Sequence, residues 1–210
     1  MEKVEKITIR SRGVGEIMFS SDDFCVGVIK NQIIKSIDKL ENIYKIKTPK
    51  FKIQLIYSRK EFNRKLGKTE TPNWLVANTK NGGNNIFIFS PQVIEKYSSH
   101  KKIDFQKIIS HELCHIFNNR INENAPILID EGIALYLSQQ KKSKDFKKND
   151  WNFFINNIHK DISFDSFVKH NGYRVSYWMI SGAVNSSNYN NLTSLLKNPS
   201  SLLMKEGSLC

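Results

Sequence analysis

Cysteine is scarce in this chain of 210 residues. There are only three, Cys25, Cys114 and Cys210, an odd and widely spaced trio that makes no disulfide framework. Long apolar runs are missing as well. None approaches the roughly 18–20 residues that cross a bilayer, which excludes a membrane-spanning helix from the sequence. The first residues, Met1-Glu2-Lys3-Val4-Glu5-Lys6, alternate in charge and offer no apolar stretch ahead of a small-residue cleavage site. No secretory signal is expected from them, and the expected compartment is a reducing cytoplasm. Acidic residues are few: 20 Asp+Glu stand against 32 Lys+Arg, a formal net charge of +12. An arginine-rich, aromatic-interleaved stripe of the kind that grips nucleic acid is absent too. The base is mostly lysine, scattered from Lys3 to Lys205, and its densest run, Lys141 to Lys148, includes Asp145. A solvated basic surface is expected from this pattern, not a nucleic-acid partner.

The chain is 40 % hydrophobic and 11 % aromatic, enough for a packed core. At roughly 100–200 residues per domain it reads as a single domain over residues 1–210. Residues 1–50 supply a strand and a long helix, 51–140 a sheet and the chemistry-bearing helices, and 141–210 a helical C-terminal part. In more detail, residues 4–10 alternate like a strand. Ser21-Asp22-Asp23 offers a cap for a helix with apolar positions Val26, Val28, Ile29, Ile33, Ile34, Ile37, Leu40 and Ile43. Phe51 to Tyr57 alternates as a strand, and Ser58 caps a short helix from Glu61 to Leu66. Residues 67–84 read as a loop ending in the Asn81-Gly82-Gly83-Asn84 turn, and Ile86 to Phe89 is a short β-run. Asp104 is the expected N-cap of a helix bearing Phe105, Ile108, Ile109, Leu113, Ile116 and Phe117. A second apolar helix runs from Ile127 to Leu137, followed by a lysine-rich connector and helices over roughly 151–196. Strands early and helices late, without repeated strand–helix alternation, give an α+β class with a small mixed sheet.

The chemistry lies in His111-Glu112-Leu113-Cys114-His115. Residues i and i+4 of a helix share one face, so two imidazoles at this spacing can bind one metal ion. Such a five-residue match arises by chance in roughly one chain of this length in a few hundred. A catalytic zinc site needs three protein ligands and a water. Glu112, beside a ligand, is the expected general base that takes the water's proton and passes it to the leaving amine. Cys114, inside the helix, is expected to be a small buried filler. For the third ligand, a histidine six residues past His115 is excluded, because Ile121 stands there. A carboxylate from the following helix is the other option, and Asp130 and Glu131 both lie near its start.

His-Glu-x-x-His followed by Glu131-Gly132-Ile133-Ala134-Leu135-Tyr136 resembles the gluzincins, the peptidase-MA-like zinc metallopeptidases. The resemblance covers roughly residues 50–185. It implies a zincin-like fold, one catalytic Zn²⁺ with Glu131 as third ligand, and hydrolysis of a peptide or protein substrate. Gly132 and Ala134 are then small because the two active-site helices pack closely there. The stretch from Trp74 to Pro91 resembles the family's edge strand, to which a peptide adds as an antiparallel strand. Gly172 to Trp178 resembles its Tyr-x-x-Ser segment. This makes Tyr173 the expected donor to the developing oxyanion, with Tyr177, His170 and Arg174 as alternatives. The chain departs from the family at Leu128, where relatives often carry Trp. It departs again at Leu135, where some carry an Asp that orients a zinc-bound histidine; that partner is therefore unassigned here. Two other readings remain: a zinc-holding scaffold without turnover, and a basic nucleic-acid binder carrying a chance motif.

Overall fold

A computed structural model describes residues 2–8, 14–20, 25–80, 84–158, 160–185 and 192–200. It divides into two compact units, residues 1–116 and 117–210, with the boundary inside one continuous helix.

The first unit is built on a five-stranded mixed sheet of order β1-β2-β3-β5-β4: β1 (Glu2–Thr8), β2 (Val14–Ser20), β3 (Phe51–Ile56), β4 (Ala77–Lys80) and β5 (Asn85–Phe89). β1 pairs antiparallel with β2, β2 and β5 run parallel to β3, and β4 is antiparallel to β5. Two elements go beyond the sequence reading. β2 was not expected, and β4 falls in the segment read as a loop. Among the described residues β4 is one edge of the sheet, and the apolar run Ile86–Phe89 lies inside, between β3 and β4. The reason is burial: Ile86, Ile88 and Phe89 are fully enclosed, as suits a strand paired on both sides, while the middle of β4 is the polar pair Asn78 and Thr79.

Helix α1 (Val26–Tyr44) links the parallel pair β2 and β3, so strand–helix alternation does occur in this half. Its buried face is Val26, Ile29, Ile33, Ile37, Leu40 and Tyr44, a 3.6-residue stripe, while Val28 faces solvent. The expected cap at Ser21-Asp22-Asp23 lies outside the described residues, and Cys25 holds the N-cap position without a side-chain bond. The helix stops at Lys45 in the left-handed region (φ 56°). There Glu41 Oε1 accepts from Thr48 N at 2.8 Å and steers the chain into β3. Helix α2 (Arg59–Leu66) starts two residues before the expected Glu61 but is capped as expected by Ser58, whose Oγ accepts from Glu61 N at 3.2 Å. The Arg59 guanidinium stacks 4.8 Å from the Phe89 ring centre and donates to Thr71 Oγ1 (3.0 Å) and Leu75 O (2.9 Å). It thereby holds the segment that leads into β4.

After the short helix α3 (Ile94–Tyr97) comes a 3₁₀ turn, Lys102–Asp104, and then α4 (Phe105–Ile121). Asp104 does not cap α4 as expected; its carboxylate reaches back to Lys101 N at 2.9 Å and closes the 3₁₀ turn. α4 is pinned to α1 by polar contacts: Ser110 Oγ lies 2.7 Å from Ser36 Oγ, and Gln106 Nε2 donates to Ser36 Oγ at 2.8 Å. Phe105, Ile109 and Leu113 are buried beside these bonds, at about 1.5–3 kcal/mol for each fully buried apolar side chain.

The second unit holds the last turn of α4 and the helices α5 (Ile127–Leu137), α6 (Lys148–Ile155), α7 (Phe164–Lys169), α8 (Gly172–Asn185) and α9 (Leu192–Lys197). α5 matches its predicted bounds. It is apolar around most of its circumference and correspondingly buried, with Leu128 and Leu135 both in the core. It packs on α8 at Gly132. A Cβ there would lie 2.6 Å from the Ser176 carbonyl oxygen and 2.6 Å from Ile180 Cγ1. The small residue at Gly132 is thus required by α8. The lysine-rich connector is exposed yet anchored: Trp178 Nε1 donates to Lys142 O at 3.1 Å, and Phe146 stacks on Trp151 at 5.9 Å. No helix of the described residues is long and apolar enough to cross a membrane.

Candidate metal centre

The centre is built on α4. Its helical turn places His111 and His115 one above the other, with Nε2 of His115 3.0 Å from Nε2 of His111. The rings are nearly perpendicular, at 81°. Two nitrogens bound about 2.05 Å from one zinc at a tetrahedral angle lie about 3.3 Å apart, so the pair needs only a few tenths of an ångström to share an ion. His111 is buried and His115 half-buried.

Glu131 completes a group able to hold a metal: one ligand atom from each of His111, His115 and Glu131 lies within 4.8 Å of the other two. Two imidazoles and a carboxylate are a donor set that suits zinc. The buried atoms Nδ1 of His111 and Oε2 of Glu131 stand outside the hydrogen-bond network of the described residues. Asp130, the alternative third ligand from the sequence, is not in the group. Its Oδ1 accepts from Asn118 Nδ2 at 2.7 Å, which ties the first turn of α5 to the last turn of α4.

Lys142 stands electrostatically close to Glu131. Burial pushes its ammonium below the ordinary lysine range, the Glu131 carboxylate acts in the opposite direction, and Arg174 adds to the lowering.

Glu112 is buried, and its Oε2 accepts from Thr79 Oγ1 at 2.6 Å, the short distance of a charge-assisted bond. Sequence reasoning missed Thr79, because a threonine in a short polar segment carries no signal of its own. Cys114 is fully buried, with Tyr44 Oη 3.3 Å from its Sγ, as a filler should be.

The expected oxyanion donors are distributed along α8 and its approach. Tyr173 is half-buried, with its ring edge on Phe167 at 5.0 Å, and sits one turn before Ser176, where α8 meets Gly132. Tyr177 is buried against Tyr136 and Trp178. His170 stacks on Phe153 at 3.9 Å and lies 3.5 Å from Asp150 Oδ1. Arg174 donates to Asp145 O and Asn171 Oδ1, both at 3.1 Å. The last two are occupied in holding the loop and helix ends around α8.

Comparison with protein-family models and with curated proteins finds no match to this chain.

Proposed function

We propose that the protein is a zinc-dependent peptidase of gluzincin type, acting on peptide or protein substrates. The observation that carries this reading is the convergence of His111, His115 and Glu131. Bound there, zinc supplies a Lewis acid that makes water acidic near neutral pH and polarises a carbonyl. The protein's own groups do the rest. His111, His115 and Glu131 hold the ion. Glu112, one residue past a ligand and shielded from bulk water, takes a proton from the attacking water and delivers it to the leaving amine. Tyr173 is the donor assigned to the oxyanion. The outer edge of β4 takes the substrate main chain as an added antiparallel strand.

Metal analysis of the purified protein, combined with cleavage of a peptide library, tests the reading. About one zinc per chain is expected in the wild type. Glu112→Gln is expected to keep zinc and lose hydrolysis. Glu131→Gln is expected to lower zinc affinity. Zinc without hydrolysis in the wild type favours a metal-holding scaffold, and full activity in Glu112→Gln overturns the mechanism.

A further inference from the structure

β4 presents two things at once through Thr79. The register pairs Ala77 with Ile88 and Thr79 with Ile86. One step further along the same register, Phe89 N donates to Val76 O at 3.0 Å. In an antiparallel ladder, bonded and non-bonded pairs alternate. Pairs 78/87 and 80/85 therefore exchange the bonds, while Ala77 and Thr79 turn their N–H and C=O away from β5. Among the described residues β4 is the last strand of the sheet, so these groups form its outer edge. The Thr79 side chain leaves that edge for α4: Oγ1 donates to Glu112 Oε2 at 2.6 Å and lies 3.5 Å from the Glu112 carbonyl oxygen. A carboxylate on a long side chain has several rotamers. A bond this short, from a hydroxyl on a β-branched residue with restricted χ1, selects one of them.

We propose that Thr79 is a positioning residue for the general base: its hydroxyl fixes the Glu112 carboxylate while its backbone, on the outer edge of β4, receives the peptide main chain. The inference rests on the reading of Glu112 as the base and adds a coupling to it. The strand that sets the substrate's register also sets the position of the proton acceptor, so the two are aligned through one residue. Alignment of this kind is where catalytic geometry is most sensitive, since a shift of about 1 Å can cost about 100-fold in rate.

The test uses the full chain loaded with zinc. Thr79→Val keeps the β-branched shape and removes the hydroxyl; Thr79→Ser keeps the hydroxyl. With an internally quenched peptide mixture, Thr79→Val is expected to lower kcat by about 10- to 100-fold while KM and zinc content stay close to wild type. Thr79→Ser is expected to recover most of the loss. If valine disturbs the strand, as a lowered melting temperature would show, Thr79→Ala takes its place. A second readout needs no turnover. Acetohydroxamate binds zinc through two oxygens and shares its proton with a neighbouring carboxylate, so its Kd by calorimetry reports where Glu112 sits. Thr79→Val is expected to weaken it severalfold in the wild type and to have no effect in the Glu112→Gln background. Wild-type kcat and Kd in Thr79→Val overturn the inference, as does an equal loss in both backgrounds. If the zinc-loaded wild type cleaves nothing, the peptidase reading falls, and the acetohydroxamate cycle alone still decides whether Thr79 acts through Glu112.

Discussion

Asn118 and Asp130 are joined side chain to side chain, with Nδ2 of Asn118 donating to Oδ1 of Asp130 at 2.7 Å and to the Asp130 carbonyl at 3.3 Å. Asn118 is fully buried and lies three residues past His115; Asp130 immediately precedes Glu131. The pair ties the first turn of α5 to the last turn of α4. Asn118→Ala is expected to leave the Asp130 carboxylate short of a donor, at about 1–3 kcal/mol of stability. Acting through Asp130, next to Glu131, it is also expected to weaken zinc binding, by less than the roughly 10- to 100-fold typical of losing a direct partner of a ligand. Competition with a chelating dye measures this. Unchanged affinity would show that Glu131 reaches its position without this bond.

Gly132 gives a second expectation. In most helices Gly→Ala gains stability, about 1 kcal/mol. At Gly132 the new methyl would meet the Ser176 carbonyl and Ile180 at 2.6 Å. Gly132→Ala is therefore expected to be destabilising by about 1–3 kcal/mol, as for other overpacked cores. A lower urea midpoint at unchanged slope is the signature; a raised midpoint would show that α5 and α8 separate easily.

Asp150 makes stability depend on pH. Burial raises the pKa of its carboxyl, but the Asn171 amide (3.0 Å), the Lys147 N–H (3.0 Å) and His170 outweigh that, and the net shift is downward. The folded protein thus binds this proton more weakly than the unfolded chain does. The stabilisation is present above the ordinary carboxylate range and disappears as pH falls through it toward the lower folded value, below about pH 4. Urea midpoints between pH 7 and pH 3 should fall at the acid end, with a shallower fall in Asp150→Asn. Parallel acid limbs for the two proteins would assign the dependence to other groups.

Zinc is expected to stabilise the fold by mass action, about 2.7 kcal/mol at 100 times its Kd. Melting temperature should rise on adding zinc and drop with a chelator. His115→Ala should show neither shift, and a zinc response in that variant would place the ion elsewhere.

Much of this was legible in one dimension because it depends on local periodicity. The i, i+4 spacing of His111 and His115 on an apolar-striped segment, the bounds of α5 and the Ser58 cap are consequences of helical geometry and nearest-neighbour hydrogen bonds. The four-residue β4 was not legible from its own residues, which read as loop and carry little strand propensity; only the resemblance over Trp74 to Pro91 pointed to an edge strand there. Asp104 misled for a related reason: an acidic residue before a helix suits either an α-helical cap or a 3₁₀ turn, and only the chain path decides.

The i, i+4 spacing was enough to put the two imidazoles on one face of a helix, with Glu112 one residue on and about 100° around it, since backbone geometry enforces that wherever the helix forms. Tertiary structure alone decided which later carboxylate joins them. Asp130 and Glu131 are adjacent in the chain, but side chains one residue apart on a helix point about 100° apart. The Asn118–Asp130 bond assigns one direction to Asp130 and leaves the other to Glu131. Tertiary structure likewise decided that Thr79, 33 residues upstream, would hold Glu112, because the contact depends on how a sheet edge lies against a helix and on nothing written locally at either residue.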